Sequence, residues 1–299
     1  PLTAATPWGY RRKARLGVKY VAKKGRVLVG FRERGSGFLA DIQRCRVLDP
    51  LVGELIVPLA ELIGGLSIRE QIPQIEVAIG DRACVLVFRV LSPPSEDDGR
   101  ALLAFADDHS IGICLQQGGP ETVYPLSGQK TDLFYDLSAH QVRIRFEATD
   151  FTQVNTRLNQ LMVDRALALL APQPNERLLD LFCGLGNFTL PLARRCRQVV
   201  GVEGDEGLVA RARANAESND IDNVEFHASN LYAPLAGEPW LQRSFDKALL
   251  DPPRTGAAEV LEYLPTLGVR RIVYVSCNPE TLARDAGLLV NRFGYRLLS

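Results

Sequence analysis

Cys277 stands where the sequence predicts that a strand ends and a helix begins. Residues 272–275 are short, β-branched and aromatic, which indicates a buried strand. Asn278 can cap a helix, and Pro279 suits the first turn of one. Because a helix N-terminus stabilises negative charge, a thiol in this place can act as a thiolate nucleophile. A single cysteine after a strand is more often a packing residue, so its neighbours must decide its role.

A turn with two glycines, residues 183–187, joins another predicted strand to a helix. Glycines let the backbone turn tightly and approach a ligand closely. Glu203 ends the next predicted strand, where a carboxylate can accept hydrogen bonds from both ribose hydroxyls. Thr189 replaces the third glycine of the dinucleotide fingerprint, and no phosphate-binding loop is present. The pattern therefore favours a nucleoside cofactor without phosphates, S-adenosylmethionine.

Asp251 begins the run Asp-Pro-Pro-Arg at the end of a further predicted strand. Two consecutive prolines exclude helix and stiffen the loop, which would hold Asp251 at the ligand-binding edge of a sheet. The alternative is a rigid turn with a solvated carboxylate. Asn230, after the predicted strand 224–227, could reach an adenine edge, although its position alone indicates little.

The elements that must position these residues alternate from about residue 150 onward. Such alternation predicts an α/β fold, a doubly wound, Rossmann-like parallel sheet with ligands at the carboxyl ends of its strands. The predicted strands are 177–182, 198–202, 224–227, 247–250 and 271–275, and the predicted helices include 156–170, capped by Asn155, and 207–219.

Residues 10–146 are instead rich in strands and carry no cofactor fingerprint, which predicts an α+β domain. Two hairpins are predicted, 14–20 with 26–32 and 74–79 with 83–90. Helices are predicted at 51–63 and 96–107, and further strands at 111–115, 133–135 and 142–146. We therefore divide the chain into an α+β domain, 1–149, and a cofactor domain, 150–299.

The 299 residues carry no net charge, but the charge is unevenly distributed. Residues 8–46 contain twelve Lys or Arg and only two acids. A basic segment of this kind indicates a phosphate-rich partner such as RNA, and a solvated sheet face is the alternative.

Six cysteines occur singly, without a Cys-x-x-Cys pair. The sequence also shows no signal-peptide pattern and no apolar run long enough to span a membrane. We therefore expect a reduced, cytoplasmic protein without membrane contact.

Taken together, these residues resemble the RNA 5-methyluridine methyltransferases, and most of all the bacterial 23S rRNA (uracil-5-)-methyltransferases that carry an iron–sulfur cluster. The run Val-Ser-Cys-Asn-Pro combined with Phe-x-Gln-Val-Asn is specific to this family. The matching stretches cover residues 7–12, 151–155, 180–190, 200–203, 251–254 and 273–285.

The resemblance implies that S-adenosylmethionine is the methyl donor and that Cys277 is the nucleophile. A thiolate that adds to carbon 6 of uracil makes carbon 5 nucleophilic enough to take the methyl group. The target uridine must be unstacked or single-stranded to be reached. By the same resemblance, the cofactor contacts fall on Gln153, Phe182, Asn187, Glu203, Asn230 and Asp251.

The resemblance also implies parts that lie outside the sequence, so we expect a chain truncated at both ends. The proton-abstracting Glu of the family is expected beyond Ser299, after strands of which the first would begin within residues 294–299. Asp251 and Glu280 are weaker candidates for this base. Cys45 matches the fourth ligand of a [4Fe–4S] cluster. A cluster needs four thiolates, so we expect it in the full-length protein and not in this chain.

The favoured hypothesis is a monomeric enzyme that methylates carbon 5 of a uridine in 23S ribosomal RNA. One alternative is the same chemistry on a transfer RNA. A second is an amino-group methyltransferase, since Asp-Pro-Pro also resembles enzymes that methylate exocyclic nitrogens without a thiolate. A third is a fragment that binds RNA without catalysing a reaction.

Overall fold

Residues 6–126 and 132–298 are described by the structure, a computed structural model in which the chain divides into two units. The first unit comprises Pro1–Tyr135 and Phe146–Asn159, and the second comprises Asp136–Arg145 and Gln160–Ser299. The domain boundary predicted after residue 149 stays a prediction.

The first unit contains one mixed sheet, with strands in the order β2-β1-β3-β4-β5-β6. Both predicted hairpins are confirmed as antiparallel pairs, and only β4 and β5 run parallel to each other. The turn of the first hairpin uses Gly25 at a positive φ of 63°. The strands are β1 Lys13–Val21, β2 Arg26–Gly30, β3 Gln74–Ile79, β4 Cys84–Arg89, β5 Gly112–Gln116 and β6 Val123–Pro125.

The helix predicted over residues 51–63 is two helices, α1 Pro50–Gly53 and α2 Ile56–Gly65. Pro58 explains the break, because a proline has no N–H for the helical ladder and is tolerated only in a first turn. The helix therefore restarts at Ile56. Buried side chains of α2, such as Leu59, pack with the apolar face of the sheet. Helix α3, Glu96–Asp108, extends one residue beyond its prediction.

A separate two-stranded sheet contains β7 Leu133–Leu137 and β8 Val142–Phe146. Helix α4, Thr156–Leu170, matches its predicted bounds. Asn155 caps it as expected, because its Oδ1 accepts the N–H of Leu158 at 3.0 Å.

The second unit confirms the predicted α/β fold: five parallel strands in the order β11-β10-β9-β12-β13. The chain moves outward from the central β9 first to one side and then to the other, which creates a ligand crevice at its carboxyl end. The strands are β9 Arg177–Leu181, β10 Gln198–Glu203, β11 Val224–Ala228, β12 Lys247–Leu250 and β13 Arg271–Tyr274. The helices are α5 Thr189–Ala193, α6 Glu206–Ser218, α7 Ala258–Leu261, α8 Tyr263–Thr266 and α9 Pro279–Asn291.

Asn215 in α6 and Asn219, the residue that ends this helix, hydrogen-bond the backbone of β8. Asn219 accepts the N–H of Arg143 at 2.7 Å and donates to its carbonyl at 2.7 Å. Asn215 forms the same pair of bonds with Arg145 at 2.9 and 3.0 Å. Because residues four apart lie on the same side of a helix, the two side-chain amides can pair with backbone groups along the edge of β8, as a neighbouring strand would.

The strand expected to begin within residues 294–299 is not found: residues 292–298 form no strand, and Ser299 lies outside the described residues. An extended segment is stabilised by pairing with a neighbour, and no described strand pairs with this one. Within the described ranges, no helix has both the length and the apolar content needed to cross a membrane.

Candidate functional site

The five parallel strands of the second unit all end at one edge of the sheet, which we call the carboxyl edge. A parallel arrangement brings together the residues that follow each strand, although they are far apart in sequence. The predicted site residues that end these strands or lie in the loops that follow them are Phe182, Asn187, Glu203, Asn230, Asp251 and Cys277.

The turn after β9 has an unusual backbone conformation. Phe182 has a φ of 64°, which is strained for a residue with a side chain, and Gly184 and Gly186 have φ values of 53° and 90°. A Cβ added to Gly184 would meet nothing within 4 Å, so open space borders its backbone. A ligand can therefore approach the main chain here.

Glu203 is held rigidly at the end of β10 by backbone N–H groups. Its Oε2 accepts from Gly184 at 3.1 Å, which joins the glycine turn to the neighbouring strand. Its Oε1 accepts from Gly204 at 2.7 Å and from Asp205 at 3.2 Å. Each carboxylate oxygen has two lone pairs, so the group can still accept hydroxyl donors from a ribose.

Asp180, inside β9, is a candidate ligand contact that the sequence analysis did not assign. It is fully buried, and its Oδ2 accepts the hydroxyl of Thr189 at 2.6 Å. Its Oδ1 is buried with no hydrogen-bond partner among the described residues. Burial, with the charges of Asp251 and Glu203, raises the pKa of Asp180 to about 7. The signal present in the sequence is an acid flanked by leucines inside a predicted strand.

Asp251 follows β12, and its N–H donates to the carbonyl of Leu181 at 3.3 Å. That bond places the start of the Asp-Pro-Pro-Arg loop beside the end of β9. Burial raises the pKa of Asp251 to about 6. The loop is therefore an ordered part of the carboxyl edge, and the alternative of a freely solvated carboxylate is not what the structure shows.

Cys277 lies between β13 and α9, at the predicted strand–helix junction, and its thiol is exposed. Asn278 caps the helix: its Oδ1 accepts the N–H of Glu280 at 3.1 Å. Its Nδ2 donates to the carbonyl of Arg254 at 2.9 Å, which binds the turn to the Asp-Pro-Pro-Arg loop.

The four buried cysteines have environments that suppress reactivity. Cys84, Cys114, Cys183 and Cys196 are buried, and Cys45 is half-buried. Burial raises the pKa of Cys196 to about 12 and that of Cys114 to about 11. A thiol with so high a pKa is rarely a thiolate near neutral pH. Cys277 is therefore the cysteine best suited to nucleophilic attack.

Asn230 and Tyr232 form the turn after β11. The Oδ1 of Asn230 accepts the N–H of Tyr232 at 3.0 Å. The Tyr232 ring lies 5.7 Å from that of Phe182, centroid to centroid. Its hydroxyl donates to the carbonyl of Gly256 at 3.0 Å. Tyr232 thus connects the glycine turn to the loop after β12, a role that sequence spacing did not reveal.

Gln153 and Cys45 belong to the first unit, whereas the carboxyl edge belongs to the second. Gln153 lies half-buried before α4, and the N–H of Cys45 donates to the carbonyl of Gly53 at 2.9 Å. In residues 6–126 and 132–298, no three His, Cys, Asp or Glu side chains form a group that could hold a metal ion. These residues alone therefore do not fit an iron–sulfur cluster.

The carboxyl edge fits a cationic nucleoside ligand. Asp180, Glu203 and Asp251 meet there, and none of them forms an ion pair with a described Lys, Arg or His. The unpartnered Oδ1 of Asp180 and the open space at Gly184 are features that a ligand would complete. S-adenosylmethionine offers an ammonium, a sulfonium and two ribose hydroxyls, which match these acceptors.

The comparisons with known proteins agree with this geometry. Residues 131–292 match the family model described as tRNA (Uracil-5-)-methyltransferase. A protein of Alkalilimnicola ehrlichii named 23S rRNA (uracil(1939)-C(5))-methyltransferase RlmD is 56% identical over 300 residues, covering 99% of this chain and 67% of that protein. A protein of Methylococcus capsulatus with the same name is 53% identical, covering 97% of this chain and 66% of that protein.

The chain thus spans about two thirds of the length of these relatives. Among solved structures, the tRNA (uracil-54, C5)-methyltransferase of Pyrococcus abyssi, in complex with S-adenosyl-L-homocysteine, matches with a TM-score of 0.74. It is 24% identical, and the match covers 95% of this chain and 70% of that one. At this identity, the match shows that the two proteins share a fold.

Proposed function

The chain belongs to the tRNA (uracil-5-)-methyltransferase family, and from this membership we propose that it methylates carbon 5 of a uridine in 23S ribosomal RNA. The choice of ribosomal RNA is supported by the names of its relatives. The observation that carries the chemistry is the exposed Cys277 at the same sheet edge as the unpaired carboxylates. Transfer RNA is the alternative substrate.

We propose S-adenosylmethionine as the cofactor, which supplies an electrophilic methyl group on a sulfonium. Glu203 would bind the ribose hydroxyls, and Asp180 and Asp251 would attract the positive charge. Phe182, Asn187 and Asn230 would line the adenosine side, and Gln153 remains a predicted contact from the first unit. The bound cation would stabilise carboxylates that burial otherwise disfavours.

Cys277 would begin the reaction by adding its thiolate to carbon 6 of the uracil. The new carbon–sulfur bond shifts an electron pair toward carbon 5 and the carbonyl at carbon 4, and carbon 5 then takes the methyl group. A base removes the carbon 5 proton, and the electron pair of that C–H bond expels the thiolate. The base stays unassigned among residues 6–126 and 132–298.

An RNA fragment containing 5-fluorouridine tests this mechanism directly. Because a base cannot remove fluorine from carbon 5, the covalent complex should persist in the presence of S-adenosylmethionine and survive denaturing electrophoresis. Cys277→Ser should form none. An amino-group methyltransferase would instead methylate RNA normally after Cys277→Ala, and that result would overturn the proposal. Ribosomal and transfer RNA fragments compared side by side decide between the two substrates.

The first unit supplies the basic surface proposed to contact RNA. Six cations of residues 8–46 form ion pairs within this unit: Arg12, Lys13, Arg15, Lys24, Arg26 and Arg44. In the described part of the chain, the other six form no ion pair, and all but the first are exposed: Arg11, Lys19, Lys23, Arg32, Arg34 and Arg46. Five of the twelve cations in this segment are thus both exposed and without an ion pair, and they are available to phosphates.

Salt dependence distinguishes this surface from a merely solvated one. Replacing Lys19, Lys23 and Arg32 with Ala should lower the slope of log affinity against log salt by roughly 0.7–0.9 per lost phosphate contact. The matched control replaces Lys24 and Arg26, which already bind Asp41. Equal slopes for wild type, test and control would refute phosphate contact by the unpaired cations.

Cys45 stays a predicted ligand of an iron–sulfur cluster in the full-length protein. It supplies one thiolate and a cluster needs four, so no step above depends on a cluster. Iron and sulfide analysis of the full-length protein and of Cys45→Ala tests the prediction, which fails if both contain a full cluster or neither does. The monomeric state and the cytoplasmic location also stay predictions, to be checked by light scattering and cell fractionation.

A further inference from the structure

Asp285 lies completely buried in α9, and both of its carboxylate oxygens are engaged. Oδ2 accepts the N–H of Ala257 at 2.7 Å and the hydroxyl of Tyr274 at 2.5 Å. Oδ1 accepts Nε of Arg284 at 2.8 Å. A buried carboxylate is tolerated only when it is paired and hydrogen-bonded in this way.

The groups that Asp285 binds belong to two different segments of the carboxyl edge. Ala257 follows the Asp-Pro-Pro-Arg loop, which begins at Asp251. Tyr274 ends β13, three residues before Cys277. One buried carboxylate therefore joins the loop that carries a ligand-facing acid to the strand that carries the thiol.

Further hydrogen bonds reinforce the same junction. The carbonyl of Arg254 accepts Nδ2 of Asn278 at 2.9 Å and the hydroxyl of Thr281 at 3.1 Å. Arg284, held by Asp285, donates to the carbonyl of Thr255 at 2.9 Å. The loop is thus bonded to the start of α9 along several consecutive residues.

Gly256 shows how close this approach is. A Cβ at this position would lie 2.6 Å from Oδ2 of Asp285 and would also contact the Arg284 guanidinium. The residue has a φ of 82°, which disfavours any side chain. The hydroxyl of Tyr232 donates to its carbonyl, and the Tyr232 ring continues the contact to Phe182 in the glycine turn.

We propose that Asp285 is a positioning residue, which fixes the turn of Cys277 against the Asp251 loop so that thiol, uracil and methyl donor align. This inference rests on the proposed function. Asp285 touches neither substrate nor cofactor in this account. It acts because a displacement of about 1 Å between reacting groups can slow a reaction by about 10²-fold.

The test measures the rate of covalent complex formation with 5-fluorouridine RNA in the full-length protein, beside S-adenosylmethionine affinity and melting temperature. Asp285→Ala should slow complex formation by about 10- to 100-fold. The affinity of this variant for S-adenosylmethionine should stay within about threefold of wild type. The reason is that Asp285 itself contacts Ala257, Tyr274 and Arg284, which are not proposed cofactor contacts.

Asp246→Ala is the matched control. Asp246 also binds a backbone N–H, that of Arg177 at 2.9 Å, and a guanidinium, that of Arg270 at 2.7 Å. It lies before β12, at the opposite edge of the same sheet. This control should lose stability while forming the covalent complex at the wild-type rate.

Tyr274→Phe keeps the ring and removes one hydroxyl, so it serves if Asp285→Ala does not fold. This substitution should slow formation of the covalent complex by about three- to tenfold. A wild-type rate in a folded Asp285→Ala or in Tyr274→Phe overturns the positioning role, as does an equal loss of rate in Asp246→Ala. If the wild-type protein forms no complex at all, the proposed function itself is wrong, and the inference falls with it.

Discussion

The two edges of the parallel sheet in the second unit use the same residue types in opposite ways. At the amino edge, where the strands begin, carboxylates are paired with cations. Glu176 lies 2.7 Å from the ammonium of Lys247, and Asp246 lies 2.7 Å from the guanidinium of Arg270. Both of these carboxylates are thus neutralised by a cation.

At the carboxyl edge, Asp180, Glu203 and Asp251 have no cationic partner among the described side chains, and burial raises the pKa of two of them. Gathering unpaired acids disfavours their charged forms, so this edge gives up stability that the amino edge keeps. A cluster of charged groups that lowers stability in this way is typical of functional sites. The difference teaches that the sheet alone does not make a site; the uncompensated charge at one edge does.

The largest expected effect is on methylation activity, when the thiol at the carboxyl edge is removed and compared with a thiol at the amino edge. In the full-length protein, Cys277→Ala should lower methylation of a 23S rRNA fragment by on the order of 10⁴-fold or more, because no other group is proposed to form the covalent intermediate. Cys196, buried just before β10 at the amino edge, is the control. Cys196→Ala should methylate the RNA at nearly the wild-type rate. Comparable losses in both variants would mean that thiol position is irrelevant.

The second effect concerns cofactor affinity. Glu203→Gln should weaken S-adenosylmethionine binding by about 10- to 100-fold, because a charged acceptor for the ribose hydroxyls is lost. Glu176→Gln, at the amino edge, removes an equivalent charge that is already neutralised by Lys247. Calorimetry should find its affinity unchanged. An unchanged affinity in Glu203→Gln would remove the ribose role from that residue.

The third effect is pH dependence. Asp180 and Asp251, with pKa values of about 7 and about 6, bind more protons in the folded than in the unfolded state between pH 4 and pH 7. Their contribution to stability therefore falls as pH rises through this window. A cationic ligand needs the ionised forms, so its affinity should rise by about tenfold from pH 6 to pH 8.

Calorimetry and thermal melting over this range, on wild type and Asp180→Asn, measure both trends. The difference between the two proteins isolates Asp180 from the carboxyls whose pKa is lowered, such as Asp98, with a pKa of about 2. Asp180→Asn should flatten the pH dependence of cofactor binding. An affinity that is flat in wild type would show that these acids do not meet the ligand's charge.

The smallest expected effect is a loss of stability without a loss of cofactor affinity, from a substitution at the amino edge. Asp246→Ala should destabilise the second unit by about 1–2 kcal/mol, since it loses one backbone hydrogen bond and one exposed ion pair. For a unit of this size, that corresponds to a melting temperature about 2–8 °C lower. Cofactor affinity should not change. A weakened affinity would show that the amino edge is coupled to the site.

Some features could be predicted because they are local. Period and strand length located β9 to β13, and the glycine turn and the capped helix start identified Cys277 before any contact was known. The prediction of a single helix over 51–63 is wrong, because Pro58 lacks an N–H and is tolerated only in the first turn of a helix that restarts at Ile56. Asp180 is visible in the sequence as an acid between leucines of a predicted strand. Whether such an acid binds a ligand or completes the structure depends on its partners, which only the tertiary structure shows.

The sequence by itself determined the alternation of strands and helices, the α/β fold and the thiol at a strand–helix junction, because backbone preferences and apolar periodicity act over a few residues. Only the tertiary structure decided which residues meet. Parallel pairing brings Asp180, Glu203 and Asp251 to one edge, where none of them forms an ion pair with a described side chain. The fold also buries Asp285 between the Asp251 loop and β13. Burial and partner geometry depend on residues distant in sequence, and they set the charge and reactivity of this site.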